Sequence, residues 1–180
     1  MIAIHLAEGF EEVEALTAAD ILRRAGKQVV LVSVTDDLLV TGAHNITVKA
    51  DCLFEEVDYA ACEMLVLPGG MPGTLHLEPS PAVACTLETA RRQGAYICAI
   101  CAAPSILGHK GLLRGRKAVC FPGYEQELEG AQVLTEPVVT DGTVITARGA
   151  GVAVDFGLEI AARLVSPERA EQIRKSMQCR

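Results

Sequence analysis

The sequence has no tryptophan and few other aromatic residues, with three Tyr and four Phe among 180 residues. Aliphatic side chains must therefore build the core, and half of all residues are hydrophobic. Chains that stay disordered combine low hydrophobicity with high net charge, so this composition excludes that class. Runs rich in Val, Ile and Leu are typical of a buried parallel sheet covered by helices.

Long hydrophobic runs and clusters of basic residues are also missing. No apolar run reaches the roughly 18 residues of a membrane span. The net charge is −7 and Lys and Arg are scattered, so we expect neither a membrane nor a nucleic acid as partner. The first ten residues, MIAIHLAEGF, lack the basic region of a secretion signal, and we expect a cytoplasmic protein.

Cysteine, in contrast, is plentiful. The chain has seven, and in a reducing compartment we expect free thiols. Cys98 and Cys101 form the one C-x-x-C pair, and without a second pair we expect no zinc site, and no metal or cofactor at all. Residues three apart on a strand point to opposite faces, which disfavours a disulfide between these two.

Strand patterns and helix patterns alternate along the chain. Four longer strands are predicted at 2–7, 28–34, 63–70 and 95–101, and helices at 11–25, 80–93, 103–109, 152–164 and 167–177. Short strands are predicted as a pair within 38–50, near 117–120 and 131–134, and at 137–147 around an Asp141-Gly142 turn. This order predicts a single α/β domain over residues 1–180, with a mostly parallel sheet and helices on both faces.

The carboxyl ends of such strands gather functional groups, and three segments fall there. The first, EGFEEVE (8–14), carries Glu8, Glu11, Glu12 and Glu14. Carboxylates at a helix N-terminus complement the helix dipole, which accounts for most of them. One that faced a buried thiol would have a raised pKa, but periodicity does not say which.

The second segment is PGGMPGT (68–74). Gly69 and Gly70 are either part of a plain turn or a set of exposed backbone N–H groups that could bind an anion.

The third segment is AICAAPSIL (99–107), where a buried strand runs into Cys101 and then into a helix. This is the order of a nucleophile elbow, and a helix N-terminus beside the sulfur favours the thiolate. The alternative, a cysteine that only fills volume, suits Cys98 within the strand better.

None of the four histidines adjoins Cys101 in sequence. His5 lies within the first strand and suits a structural role, His44 lies in a turn, and His109 lies far along the helix after Cys101. His76 follows the double glycine and could reach the site. The Cys-His arrangement of a protease is therefore not indicated.

Together these segments resemble the ThiJ/PfpI superfamily, and in particular its branch of small stand-alone proteins that includes the parkinsonism-associated oxidative-stress protein and bacterial relatives. The resemblance covers nearly the whole chain. It rests on EGFEEVE (8–14), VLPGGMPGT (66–74), AICAAP (99–104) and VITARGAGVAVDFGLEI (144–160). It implies a flavodoxin-like three-layer sandwich and a homodimer, with Arg24 near the dimer contacts.

The resemblance also implies roles at the site. The reactive cysteine of the family falls on Cys101, and its protonated glutamate, which donates a hydrogen bond to the thiolate, falls on Glu14. Its backbone N–H donors fall on Gly70 and Ala102. Gly69 stays a candidate donor from the residues themselves.

Two departures from the family bear on function. Ala102 stands where the protease-like branch has a histidine, and Phe121, before Pro122, stands where some glyoxalases of the family have one. We expect a cysteine-centred stress-response protein that acts on reactive carbonyls, as a glyoxalase or deglycase does. The alternative is a non-catalytic peroxide sensor or redox chaperone with an oxidisable Cys101. An enzyme of thiazole monophosphate biosynthesis and a cysteine peptidase are less favoured.

Overall fold

A computed structural model describes residues 1–179 and contains strands and helices in alternation. The strands are β1 (Ile2–Leu6), β2 (Val29–Ser33), β3 (Leu39–Thr41), β4 (Thr47–Lys49), β5 (Cys52–Leu53), β6 (Met64–Leu67), β7 (Tyr96–Ile100), β8 (Lys117–Ala118), β9 (Gln132–Val133), β10 (Val138–Asp141) and β11 (Val144–Ala147). The α-helices are α1 (Glu12–Arg24), α2 (Gly73–Leu77), α3 (Pro81–Gln93), α4 (Pro104–His109), α5 (Ala153–Leu164) and α6 (Pro167–Ser176). No helix within the described residues is long and apolar enough to cross a membrane.

Seven of the strands form one sheet in the order β10-β11-β7-β6-β1-β2-β5. All neighbours are parallel except β10, which returns antiparallel to β11 through the Asp141-Gly142 turn. The pair β3–β4 is antiparallel, as predicted for residues 38–50. The mostly parallel, flavodoxin-like α/β fold is therefore confirmed.

Helices cover both faces of the sheet because the strand side chains alternate between two cores. Ile2, Ile4 and Leu6 of β1 pack in one core with α1, α5 and α6. Ala3 and Ala7 face the other core, which α3 and α4 cover. The three layers follow from this alternation.

Helix α1 is held close to α5. A Cβ added at Gly157 of α5 would lie 2.8 Å from Cδ1 and 3.2 Å from Cβ of Ile21 on α1, so a larger residue would force the Ile21 side chain to move. The close packing fixes the position of α1, whose first turns carry Glu12 and Glu14.

Local signals set most element boundaries. Helix α3 begins after Ser80, whose side chain accepts a hydrogen bond from the Val83 N–H, and it ends at Gly94 with φ of +70°. Two short elements are not predicted from the sequence: helix α2 has five residues and the edge strand β5 has two, too few for a periodic pattern to reveal. The short strands β8 and β9 pair with each other outside the main sheet.

Candidate functional site

Cys101 occupies the turn between β7 and α4. Its φ is +65°, a conformation that residues other than glycine rarely adopt and that stores strain. Its N–H donates to the Ala147 carbonyl at 2.9 Å, and its own carbonyl accepts from the Phe121 N–H at 2.8 Å. These two bonds hold the turn on both sides and leave the thiol partly exposed. The structure therefore has the strand–turn–helix geometry that the sequence predicts for an elbow.

Glu14 reaches the same point from α1 and is almost fully buried, with 1% exposed. Its Oε2 accepts a hydrogen bond from the Gly69 N–H at 2.7 Å. Its Oε1 has no well-aligned partner among the described residues, and the polar group that the carboxyl meets is the Cys101 thiol. A buried oxygen in this position suits a protonated carboxyl group that donates to the sulfur.

Gly69 makes this approach possible. A Cβ at position 69 would lie 2.6 Å from Cys101 Cβ and 2.9 Å from Glu14 Oε2. Real Cβ atoms do not come this close to backbone-fixed atoms, so any side chain here would push the thiol and the carboxyl apart. Gly69, which the sequence indicates as a turn residue, thus allows the thiol and the carboxyl to meet because it has no side chain.

The acid and the thiol are electrostatically coupled. Burial raises the pKa of Glu14 to about 7, although the Gly69 N–H opposes the shift. Burial also raises the pKa of Cys101 to about 12, helped by the negative charge of Glu14 and opposed by the N–H groups of Ala102 and Gly70. The repulsion from Glu14 is present only while that carboxyl is ionised. A thiolate at Cys101 is therefore favoured when the proton sits on Glu14.

This result corrects one expectation from the sequence. The helix after Cys101 was expected to favour the thiolate, but α4 has only six residues and burial outweighs its effect. The backbone donors also divide differently. The Gly69 N–H is taken by Glu14, and the donors at the sulfur are the N–H groups of Gly70 and Ala102.

The other three carboxylates of the first segment do not contact the thiol in the same way. Glu8 accepts from the Thr41 N–H at 3.1 Å. Glu12 is buried, with Oε1 accepting from the His44 N–H at 2.8 Å and Oε2 lying 2.9 Å from His44 Nδ1. Glu11 Oε1 lies 3.6 Å from the same His44 Nδ1. Glu14 is thus the member of the set that faces Cys101.

Glu11, Glu12 and His44 are the one group of metal-ligand type found in the described part of the chain, with donor atoms within 4.8 Å of one another. The Glu12 oxygens already hold His44 and the Ile46 N–H. The group therefore fastens the turn between β3 and β4 to α1, and its atoms are occupied by these bonds.

Histidine is absent from the surroundings of Cys101 within residues 1–179. His5 is buried on β1 against Tyr59, and burial lowers its pKa to about 4. His76 donates through Nδ1 to the Glu8 carbonyl at 2.7 Å instead of reaching the thiol. His109 lies between the carboxylates of Glu78 and Glu127, far from the sulfur. A Cys-His pair is therefore not formed by these residues.

Phe121 forms one wall of the space beside the sulfur. A Cβ added at Gly149 would lie 3.2 Å from the Phe121 ring and 3.9 Å from Cys101 Sγ, so both residues stand next to the thiol. They also line a cavity of about 330 Å³, together with Pro122, Pro137 and Arg148. This cavity is not predicted from the sequence, although the small residues 149–151 after β11 indicate an open space at this end of the strand.

Comparison with known proteins finds relatives over nearly the whole chain. Residues 1–163 match the family described as the DJ-1/PfpI family. The chain is 33% identical over 174 residues to Protein dj-1beta of Drosophila melanogaster, covering 96% of this chain and 93% of that one. It is 30% identical over 171 residues to the glutathione-independent glyoxalase DJR-1.2 of Caenorhabditis elegans, covering 94% and 91%.

A deglycase of Pyrococcus abyssi is 33% identical over 151 residues, covering 81% of this chain and 87% of that one. Among solved structures, oxidized DJ-1 of Toxoplasma gondii superposes with a TM-score of 0.95 at 34% identity, covering 98% of this chain and 97% of that one. Family, relatives and fold agree over nearly the whole length of the described residues. The chain therefore belongs to the DJ-1/PfpI family.

Proposed function

We propose that this protein acts on small reactive carbonyl compounds through Cys101 as nucleophile, with Glu14 as the group that carries the proton. The observation that carries the proposal is the contact between a strained, partly exposed thiol and a buried carboxyl whose pKa is near 7. A relative named as a glyoxalase and another named as a deglycase support the same class of substrate.

The chemistry follows from where one proton sits. With the proton on Glu14, the Cys101 thiolate attacks the aldehyde carbon of a 2-oxoaldehyde, and Glu14 gives its proton to the new alkoxide. The carboxylate then removes the proton from that same carbon and returns it to the neighbouring carbon, while the hydroxyl proton passes to the neighbouring carbonyl oxygen, which gives a thioester of a 2-hydroxy acid. Water releases the acid and frees the cysteine, so the net reaction adds one water and needs no oxidant.

A cavity lined by Phe121 and Gly149, the two residues that flank the thiol, would hold a small substrate, although Cys101 itself does not line it. A cavity of about 330 Å³ lies at the lower end of the volumes that hold organic ligands. Its walls of Phe121, Pro122 and Pro137 favour a compact substrate with an apolar end, such as methylglyoxal. The N–H groups of Ala102 and Gly70 lower the pKa of the Cys101 thiol, which supports a role for them in holding the sulfur during attack.

The test compares Cys101→Ser with Cys85→Ser as a matched control, because Cys85 is an exposed cysteine on α3. With methylglyoxal as substrate, the first variant should form no lactate above background, while the second should keep the wild-type rate. Retained turnover in Cys101→Ser would refute the proposal.

A second candidate function is a peroxide-responsive thiol without turnover, including a redox chaperone. Phe121 favours this second function, because its side chain stands beside the thiol and cannot transfer a proton. Glu14 is the titratable group that contacts the sulfur. In this case Cys101 is oxidised by peroxide, and the added oxygens accept from Gly70, Ala102 and protonated Glu14.

Mass spectrometry after mild peroxide treatment distinguishes this case. Cys101 should gain two oxygens before the other six cysteines do, and the protein should show no lactate formation with or without treatment. Equal oxidation of all seven cysteines would count against it. A peptidase has less support, because no described histidine contacts Cys101, and thiazole monophosphate synthesis has none from the residues at this site.

A further inference from the structure

Three arginines from two separate segments of the chain line one cavity at the end of the sheet opposite to Cys101, where β7 and β11 begin. Arg91 comes from the last turn of α3, and Arg114 and Arg116 come from the segment after α4. The cavity has a volume of about 260 Å³, and buried Ile97 and Val144 lie beneath it. None of its lining residues is acidic, which is notable in a chain with a net charge of −7.

The three guanidinium groups differ in how they are paired. Arg91 makes two hydrogen bonds to Glu88, at 2.9 and 2.8 Å. Arg116 donates to the Asp141 carbonyl at 2.9 Å, and the nearest Asp141 carboxylate oxygen is 3.9 Å away. Arg114 has no carboxylate within salt-bridge distance among residues 1–179. At least one full positive charge therefore remains uncompensated in the cavity.

We propose that this cavity binds a small phosphate-bearing anion. Guanidinium groups present planar forks of N–H donors that match the oxygens of phosphate, and Arg114 supplies a charge that no carboxylate among the described residues pairs with. The cavity is too small for a nucleotide but large enough for a phosphate group with a few attached carbon atoms. A favourable interaction with the dipole at the C-terminus of α3 would account for the position of Arg91, but not for the positions of Arg114 and Arg116.

The site is separate from Cys101. Ile97 and Val144 pair at the start of β7 and β11, whereas Cys101 follows the end of β7 and bonds to the end of β11. Four residues of strand separate the two places, or about 13 Å. Anion binding there is thus independent of the carbonyl chemistry, and failure of one proposal leaves the other standing.

Isothermal titration calorimetry tests the proposal with inorganic phosphate and glycerol 3-phosphate as probes, at constant ionic strength. We expect saturable binding of at least one probe to the full chain. Stronger binding of glycerol 3-phosphate would indicate a phosphorylated metabolite, and stronger binding of inorganic phosphate would indicate the free ion. Arg114→Gln should weaken binding about tenfold or more, because it removes charge-assisted hydrogen bonds.

Arg163→Gln is the matched control, since it removes the same charge from an exposed arginine on α5 that does not line the cavity. It should bind like the wild type. Absence of saturable binding, equal loss in the two variants, or unchanged binding in Arg114→Gln would each overturn the proposal. A measurement on the wild type does not depend on whether the variants fold. The probe that binds should protect Arg114 from modification by phenylglyoxal, as measured by peptide mass spectrometry. Absence of protection would contradict the proposed site.

Discussion

Two buried glutamates on the first turns of α1 differ sharply although they are two residues apart. Burial acts to raise the pKa of Glu12, but its bonds to His44 and to the N–H groups of His44 and Ile46 outweigh burial and lower it. Glu14 has only the Gly69 N–H and the Cys101 thiol to oppose burial, so its pKa rises to about 7. The number of donors around each carboxyl thus sets its charge.

The comparison separates a structural carboxylate from a candidate proton carrier. Glu12 is held ionised and fastens the turn at residues 42–46. Glu14 is held near the midpoint of its titration beside a thiol, which is where a group that gives and takes a proton must be. Matched substitutions at the two positions test whether this division of roles is correct.

The largest expected effect is on turnover. Glu14→Gln should lower the rate of lactate formation from methylglyoxal by about 10²- to 10⁴-fold, because the amide cannot transfer the proton. Glu12→Gln, the same change on the same helix, should keep the rate near that of the wild type. Equal rates in the two variants would remove the distinction between the two carboxyls.

The next effect is on the pH dependence of stability. Glu14 has a folded pKa of about 7 against an ordinary value of 4.5, so the folded state holds its proton over that interval. The free energy of unfolding of the wild type should therefore fall as pH rises from 4.5 to about 7, by up to about 3 kcal/mol, relative to Glu14→Gln. Urea unfolding at several pH values measures this difference, and parallel curves for the two proteins would contradict it.

Glu12→Gln should have a smaller effect on stability. It removes the ion pair with His44 and leaves a buried amide facing backbone N–H donors, at a cost of about 2 kcal/mol. Urea unfolding near neutral pH should show this loss for Glu12→Gln and not for Glu14→Gln. A greater loss in Glu14→Gln would reverse the assignment of the structural role.

The smallest expected effect comes from Phe121→His. A histidine at this half-exposed position beside Gly149 would add a titratable group at the mouth of the site. As a single substitution, Phe121→His should raise methylglyoxal turnover modestly. Combined with Glu14→Gln, it should restore part of the turnover that Glu14→Gln removes. No restoration in the double variant would mean that position 121 cannot take over proton transfer.

The sequence predicts the fold well because its signals are local. Ser80 and Gly94 bound α3, Asp141-Gly142 turns the hairpin, and alternating apolar residues on β1 specify two cores. The missed elements are those too short to carry a period, such as α2.

The candidate site is only partly predictable, because its properties depend on contacts between distant segments. The elbow at Cys101 can be derived from strand, turn and helix signals, but residue type alone does not distinguish Glu14 from Glu12. That choice depends on Gly69 and His44, which lie far from α1 in sequence. The arginine cavity is invisible in the sequence for the same reason, since Arg91 and Arg114 come together only in the fold.

The central claim is that one proton shared by Glu14 and Cys101 controls the reactivity of the thiol. The most direct test is the rate of iodoacetamide labelling at Cys101 as a function of pH, followed by mass spectrometry in the wild type and in Glu14→Gln. The coupled pair loses its first proton with a midpoint near 7, the pKa of Glu14, and the labelling rate in the wild type should rise over that range because the remaining proton can sit on Glu14 and leave the sulfur as the thiolate. In Glu14→Gln the buried thiol must ionise alone, so the midpoint should move to higher pH. Identical profiles in the two proteins, or a wild-type midpoint as high as about 12, would contradict the account.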